Sequence, residues 1–243
     1  PQGAEQTVDL ELAGKLEASD LLKPQGIKGQ GSARVAHVGF EDMQSCWTEN
    51  AAKGGKKWVA DNITSGDASG LQTTIALAGA KGWDTLKVVG LDGGLDARGL
   101  TVHWLRSVSP LHDITARLAI HDLNTIIIDF DNGYQLVDRA GKNVGLSGIG
   151  RIEAGPGRMT ITGLSHEDQT GIITSKLAGR LEDILALLAE DRLHLLSRHP
   201  ISFTNPRGKA AVNLSLSLPL VSHVRIDDMT INAHADVTHA SMG

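Results

Sequence analysis

Apolar and polar residues alternate along much of the chain, and this alternation defines the predicted elements. In the first run, from Val8 to Ala18, the even positions are mostly aliphatic and the odd positions are largely charged. Successive side chains of a β-strand point to opposite faces, so the pattern predicts a half-buried strand. The same alternation predicts strands over 71–77, 114–120, 212–218 and 229–237, and weaker patterns predict strands over 32–40, 85–106, 123–130, 149–154 and 157–178.

Short glycine-containing signals punctuate these runs. They are Asp92-Gly93-Gly94, Asn132-Gly133 and Gly155-Pro156-Gly157. Gly, Asn and Asp accept a positive φ at low cost, so we predict hairpin or loop turns at all three. Near the end of the chain the apolar phase slips from even to odd positions across Asp227-Asp228. The slip indicates a tight turn or a bulge there.

Two segments follow a helical period instead. Apolar residues over 42–60 fall near helical spacing, which predicts a first helix. Over 180–191 the apolar residues form an i, i+3, i+4, i+7 stripe, and the acidic residues lie off it. The stripe consists of Leu181, Ile184, Leu185 and Leu188, and the acidic residues are Glu182, Asp183, Glu190 and Asp191. We expect this second helix to pack on the apolar face of the sheet, as a plug at one end of a module.

The predicted fold class is therefore mainly β, with antiparallel strands, one apolar face per strand and two short helices. The alternation fits one sheet with a wet side or two sheets that share a dry interior. No shift of composition marks a linker, so residues 1–243 are treated as one segment, with possible modules over about 1–110 and 111–243.

Composition and charge narrow the classes of partner. The formal net charge of −5 gives no basic footprint for nucleic acid or for an anionic membrane surface. The longest apolar run, 184–189, is far shorter than the roughly 18 residues of a membrane span. One cysteine, Cys46, excludes an internal disulfide and a cysteine-based zinc site. The sequence begins without Met or a signal peptide, so it resembles an excised or processed piece.

The polar residues do not assemble a recognisable catalytic or metal site. The pairs His194/His199 and His234/His239 are five residues apart, whereas two ligands on one helix face need a spacing of about four. Ser147 lies in a glycine-rich stretch that fits neither a nucleophile elbow nor a dinucleotide-binding turn. We predict no catalytic residues, no metal and no cofactor, and therefore no enzyme.

A series of short motifs across residues 40–240 resembles the AsmA-like family of bacterial envelope proteins, in particular the YhdP-type central region. Each motif alone is degenerate, and the resemblance lies in their order. The motifs are Cys46-Trp47, Ala51-Ala52-Lys53-Gly54, Lys57-Trp58-Val59, Asn62-Ile63 with Gly66, Gly99-Leu100-Thr101-Val102, Trp104-Leu105, Pro110-Leu111, Gly179-Arg180-Leu181, Ile184-Leu185-Ala186-Leu187-Leu188, Gly208-Lys209-Ala210 and Leu218-Pro219-Leu220.

The resemblance implies a curved, taco-like β-groove built from antiparallel modules. It further implies a periplasmic protein, anchored in the inner membrane by segments outside this chain, that carries phospholipid toward the outer membrane. The family offers no catalytic residues.

On this basis we predict that the chain binds or conducts phospholipid acyl chains along the inward phase of its strands. The candidate contacts are Leu10, Leu12, Leu71, Ile75, Leu77, Ile114, Leu118, Ile120, Leu214, Leu216, Ile231 and Ala233. The alternative is a closed β-rich scaffold or interaction module in envelope assembly, with protein partners and no lipid. Periodicity cannot separate the two, because an inward face looks alike whether it meets protein or lipid.

Overall fold

The computed structural model describes residues 9–42, 59–105, 108–142, 144, 147–164, 168–190, 193, 205–220 and 226–241. Eleven strands form one antiparallel sheet, and strands account for 69% of this part of the chain, which confirms the predicted fold class. The strands are β1 (Leu10–Glu17), β2 (Gln25–Gly39), β3 (Ile63–Lys81), β4 (Lys87–Val102), β5 (Leu111–Ile120), β6 (Thr125–Asp131), β7 (Gly133–Asp138), β8 (Ile149–Thr162), β9 (Thr170–Arg180), β10 (Arg207–Pro219) and β11 (Thr230–Ser241).

The strands follow one another across the sheet nearly in chain order. The order is β1-β2-β3-β4-β5-β6-β8-β9-β10-β11, and β7 continues beyond β6 to pair with β5 and β8. Because every pair is antiparallel, successive connections alternate between the two ends of the sheet, apart from the link at Asn132, where β7 continues in the direction of β6. The lower end carries the short connections 18–24, 82–86, 121–124 and 163–169, together with 220–229. The upper end carries the longer ones, including the helix α1 (Leu181–Leu188).

The two predicted helices differ in how much of them the structure describes. Most of the segment 42–60 lies outside the described residues, although 59–62 are helical. The second helix, predicted over 180–191, is α1. Two short 3₁₀ turns also occur, at Trp83–Thr85 and at Ile226–Asp228. The second of these lies at the predicted phase slip, and β11 follows it with the odd positions on the apolar face.

The prediction of hairpin turns at the three glycine-containing signals was wrong. Gly93 and Gly94 lie within β4, where a Cβ would come within 2.5 Å of the Gln72 carbonyl oxygen and 2.6 Å of the Leu118 carbonyl oxygen, respectively. Their role is close approach between strands rather than chain reversal. Gly155-Pro156-Gly157 forms a bulge inside β8. Asn132, at φ 62°, links β6 to β7 without reversing the chain.

Helix α1 packs on β7, β8, β9 and β10 at the upper end of the sheet. Leu181, Ile184 and Leu185 of its apolar stripe are buried, and Leu188 is partly buried against the same cluster. A second buried cluster lies at the upper ends of β2 to β5, around Val35, Ala97, Leu100, Ile114 and Ala116 together with Val38, Phe40 and Ala68. Both clusters occupy the upper half of the apolar face, and the lower half also contains buried side chains, among them Ile27, Met159, Ile161, Leu216 and Leu218.

Replacing Leu185 by Ala should lower the free energy of unfolding by about 2–5 kcal/mol, because it removes a buried side chain and leaves a cavity under α1. Chemical denaturation of the purified chain measures this value. Leu136→Ala, at a side chain that is 38% exposed, is the control and should change stability much less. A loss below about 0.5 kcal/mol for Leu185→Ala would show that the stripe does not support the core.

Candidate functional site

The apolar positions of each strand pair with apolar positions of the neighbouring strands, so the apolar side chains form a single surface. We call this surface the apolar face. Its central row crosses seven strands with an aliphatic or Met side chain at each step, and every step is a direct cross-strand pair. The row is Leu95, Leu118, Ile128, Met159, Ile173, Leu216 and Ile231.

All twelve residues predicted to contact lipid lie on this face. The pairs Leu10–Val35–Leu71 and Leu12–Ala33 connect the β1 candidates to it. Exposure divides the candidates. Ile114 and Leu216 are enclosed by protein, at 4% and 6% exposed. The exposed members are Leu10, Leu12 and Ala233, and the half-buried ones are Leu71, Ile75, Leu77, Leu118, Ile120, Leu214 and Ile231.

A cavity of about 630 Å³ is associated with the strands β8 to β11. It is centred on the cross-strand row Gly157, Ser175, Leu214 and Ala233, and the residues before and after each member also line it. The lining therefore comes from both phases of these strands. The volume of the cavity is within the range of roughly 300–1,000 Å³ that small-molecule sites occupy.

The opposite face is polar and carries a ladder of alternating charge. Asp96, Arg117, Asp129 and Arg158 follow one another as cross-strand partners on four strands. Arg158 donates to the two carboxylate oxygens of Asp129 at 2.6 and 2.9 Å, and these bonds hold the pKa of Asp129 below its usual value. The Asp96 carboxylate accepts from Arg117 at 2.8 Å and raises the pKa of that guanidinium.

The first turn of α1 contains two buried acids that sequence reasoning placed off the apolar stripe. Glu182 and Asp183 are each 1% exposed. Asp183 accepts from Arg139 Nε at 2.5 Å, and one oxygen of Glu182 lies 2.6 Å from Arg180 Nη2. The other, Oε2, is buried and has no hydrogen-bond partner among the described residues. Acids in a first helical turn also meet the positive end of the helix dipole, which favours their charge.

The connection between β7 and β8 holds both ends of α1. Arg139 binds Asp183 at the first turn, and Lys142 Nζ lies 3.2 Å from the Glu190 carboxylate beyond the last turn. Gly150 makes room for this arrangement, because a Cβ there would collide with the Asp183 carboxylate. The sequence signal was available: a glycine on the buried phase of β8 indicates close approach by another group.

Within the described ranges, no group of three or more His, Cys, Asp or Glu side chains could hold a metal ion. His234 lies 3.6 Å from Asp236 on the exposed strand β11. No helix in that same part of the chain is long and apolar enough to cross a membrane. The chain matches no family model, no curated protein and no solved structure in the comparisons with known proteins.

Replacing Arg139 by Ala should lower the free energy of unfolding by about 3–5 kcal/mol, because it leaves the buried Asp183 carboxylate without its cation. The side chains of the pair are 10% and 1% exposed. Arg117→Ala is the matched control: it breaks an ion pair whose side chains are 75% and 50% exposed and should leave stability nearly unchanged. Equal losses for the two variants in urea denaturation would contradict this assignment.

Proposed function

We propose that this chain is a segment of an AsmA-like envelope protein that holds phospholipid acyl chains on its apolar face. The observation that carries the proposal is the continuity of that face. Its central row crosses seven strands without a polar side chain, from Leu95 on β4 to Ile231 on β11. Met159 and Leu216 of this row are buried, and the other five side chains are half-buried, so apolar area remains for a ligand beside them.

Burial supplies the binding free energy. Each methylene that moves from water to an apolar surface contributes about 0.8 kcal/mol, and the contribution has no directional requirement. An acyl chain could therefore shift along the face without passing a specific site. Half-buried side chains such as Ile75, Leu77 and Leu118 provide apolar area that the described elements leave partly uncovered.

The cellular setting in this proposal comes from the motif resemblance. It comprises the periplasm, an inner-membrane anchor contributed by segments outside this chain, and phospholipid movement toward the outer membrane. Binding and sliding of acyl chains require no reaction, so no residue is assigned a catalytic role.

A closed scaffold in envelope assembly is the second candidate, and the two buried clusters favour it. Val137, Ile152 and Leu185 are covered around α1, and Leu100 and Ile114 are covered at the upper ends of β4 and β5. In the lower half Ile27, Ile161 and Leu218 are buried as well, whereas side chains such as Ile75 and Leu118 are half-buried. If these were covered too, no lipid could enter. The two candidates therefore differ in whether the lower half of the apolar face is accessible.

Photo-crosslinking at adjacent positions separates them. A photoreactive residue at position 214, on the apolar face and beside the cavity, should capture phospholipid when the protein is expressed in a Gram-negative host. The matched control is position 213, whose side chain points to the opposite face of β10. A second pair, 75 and 74 on β3, repeats the comparison on a distant strand. Mass spectrometry of the crosslinked adducts identifies what was captured.

The lipid-binding proposal requires adducts at 214 and 75 and their absence at 213 and 74. Crosslinks to protein alone at positions 214 and 75 would support the scaffold. Equal capture at neighbouring positions would show that lipid adheres without regard to the face, which also contradicts the proposal.

A further inference from the structure

Two loops at the lower end of the sheet expose large apolar side chains next to each other. Leu21 and Leu22, in the β1–β2 loop, are 74% and 91% exposed. Trp83, in the β3–β4 loop, is 42% exposed, and its indole Nε1 donates to the Leu21 carbonyl oxygen at 3.3 Å. We call Leu21, Leu22 and Trp83 the apolar tip.

Hydrogen bonds fix the shape of this tip. The Leu22 N–H donates to Asp20 Oδ1 at 2.8 Å, which forms a local turn around the two leucines. The Gly82 N–H donates to the Pro24 carbonyl oxygen at 2.9 Å and joins the two loops, and Pro24 is buried. These hydrogen bonds hold the two loops so that both leucines are presented to solvent.

Lysines flank the apolar tip. Lys23 follows the leucines directly, and Lys81 and Lys87 lie on either side of the Trp83 loop, with all three exposed. Two acids, Asp20 and Asp84, are also present, and the Asp20 carboxylate already accepts a backbone hydrogen bond. A lysine stem can lie along an apolar surface while its ammonium group reaches a phosphate.

We propose that the apolar tip inserts into the interfacial region of a phospholipid bilayer. A specific protein interface needs about 1,000 Å² of complementary surface, which two leucines and a tryptophan on two loops do not supply. Insertion into a bilayer does not require a complementary surface of this size, because the lipids rearrange around a small protrusion. Tryptophan is favoured at the boundary of acyl chains and headgroups, and lysine is attracted to anionic headgroups.

The apolar tip also adjoins the apolar face. The pair Ile27–Gly79 lies next to the loops, with Ile27 buried, and the following row is Leu16, Gly29, Leu77 and Val88. Leu16 and Val88 are 48% and 46% exposed, so the part of the face nearest the loops also exposes apolar side chains. This inference goes beyond the proposed function, because docking at a bilayer needs only the loops and does not require that lipid stays on the face.

Vesicle flotation of the full chain tests the inference. With vesicles of phosphatidylcholine and phosphatidylglycerol, the unmodified protein should float, and Leu22→Ser should weaken binding about tenfold through the lost apolar area. The double variant Leu21→Ser/Leu22→Ser should lose about a hundredfold. Leu136→Ser/Ile149→Ser is the matched control, since it removes two exposed apolar side chains at the upper end. It should float like the unmodified protein.

The lysine contribution is measured separately. Replacing Lys23, Lys81 and Lys87 by Gln should weaken binding to the mixed vesicles and leave binding to pure phosphatidylcholine unchanged. High salt should reduce the difference between the two vesicle types, because exposed charges are screened. Far-UV circular dichroism of every variant confirms that the sheet is retained.

Three results would overturn the inference. The first is that the unmodified protein does not float, and the second is that Leu21→Ser/Leu22→Ser floats as well as the unmodified protein. The third is that the unmodified protein forms a concentration-dependent dimer, which the double variant abolishes, while neither of these two proteins binds vesicles. The last would identify a second copy of the chain as the occupant. Crosslinking at position 214 in the same variants keeps the two proposals apart. Lost flotation with retained lipid capture supports the tip, and normal flotation without any capture rejects the proposed function alone.

Discussion

The register of the strands determines which side chains share a face of the sheet, and the rest of the structure depends on it. A strand offers one apolar and one polar face, and a slip of a single residue exchanges them. Here the apolar positions of neighbouring strands stay paired, and bulges in β3, β4 and β8 let these strands change phase partway along their length. The result is one continuous apolar surface that no individual strand contains. The charge ladder of Asp96, Arg117, Asp129 and Arg158 runs across the other face in the same register. A slip would break its ion pairs and would also turn the central apolar row toward water, so both faces favour the same alignment.

The covering of the apolar face differs between its two ends. At the upper end α1 covers part of it, and the pairs Arg139–Asp183 and Lys142–Glu190 hold the helix in place. Such buried charges contribute little net stability compared with an apolar core, but removal of one partner is costly. They therefore favour one position of the helix over alternatives. At the lower end the connections are short, and several candidate contacts remain half-buried or exposed.

Alternation was sufficient to predict the fold class and to place all twelve candidate contacts on one face. It could not reveal which of them the fold would enclose, because burial of Ile114 and Leu216 depends on elements that pack from elsewhere in the chain. The glycine signals were misread for a related reason: Gly93 and Gly94 serve close approach between strands, which local sequence does not distinguish from a turn. The burial of Glu182 and Asp183 depends on cations distant in sequence, chiefly Arg139. The cellular role was predicted from the motif resemblance alone.

Native mass spectrometry of the chain, purified from a Gram-negative host without detergent, tests the central claim most directly. If the apolar face holds acyl chains, the spectrum should show the protein with added masses of whole phospholipids. Leu214→Asp should reduce these adducts, because a carboxylate on the apolar face opposes burial of acyl chains there. The matched variant Asn213→Asp, on the opposite face, should retain them. A lipid-free spectrum of the folded protein, or equal adducts in both variants, would contradict the account.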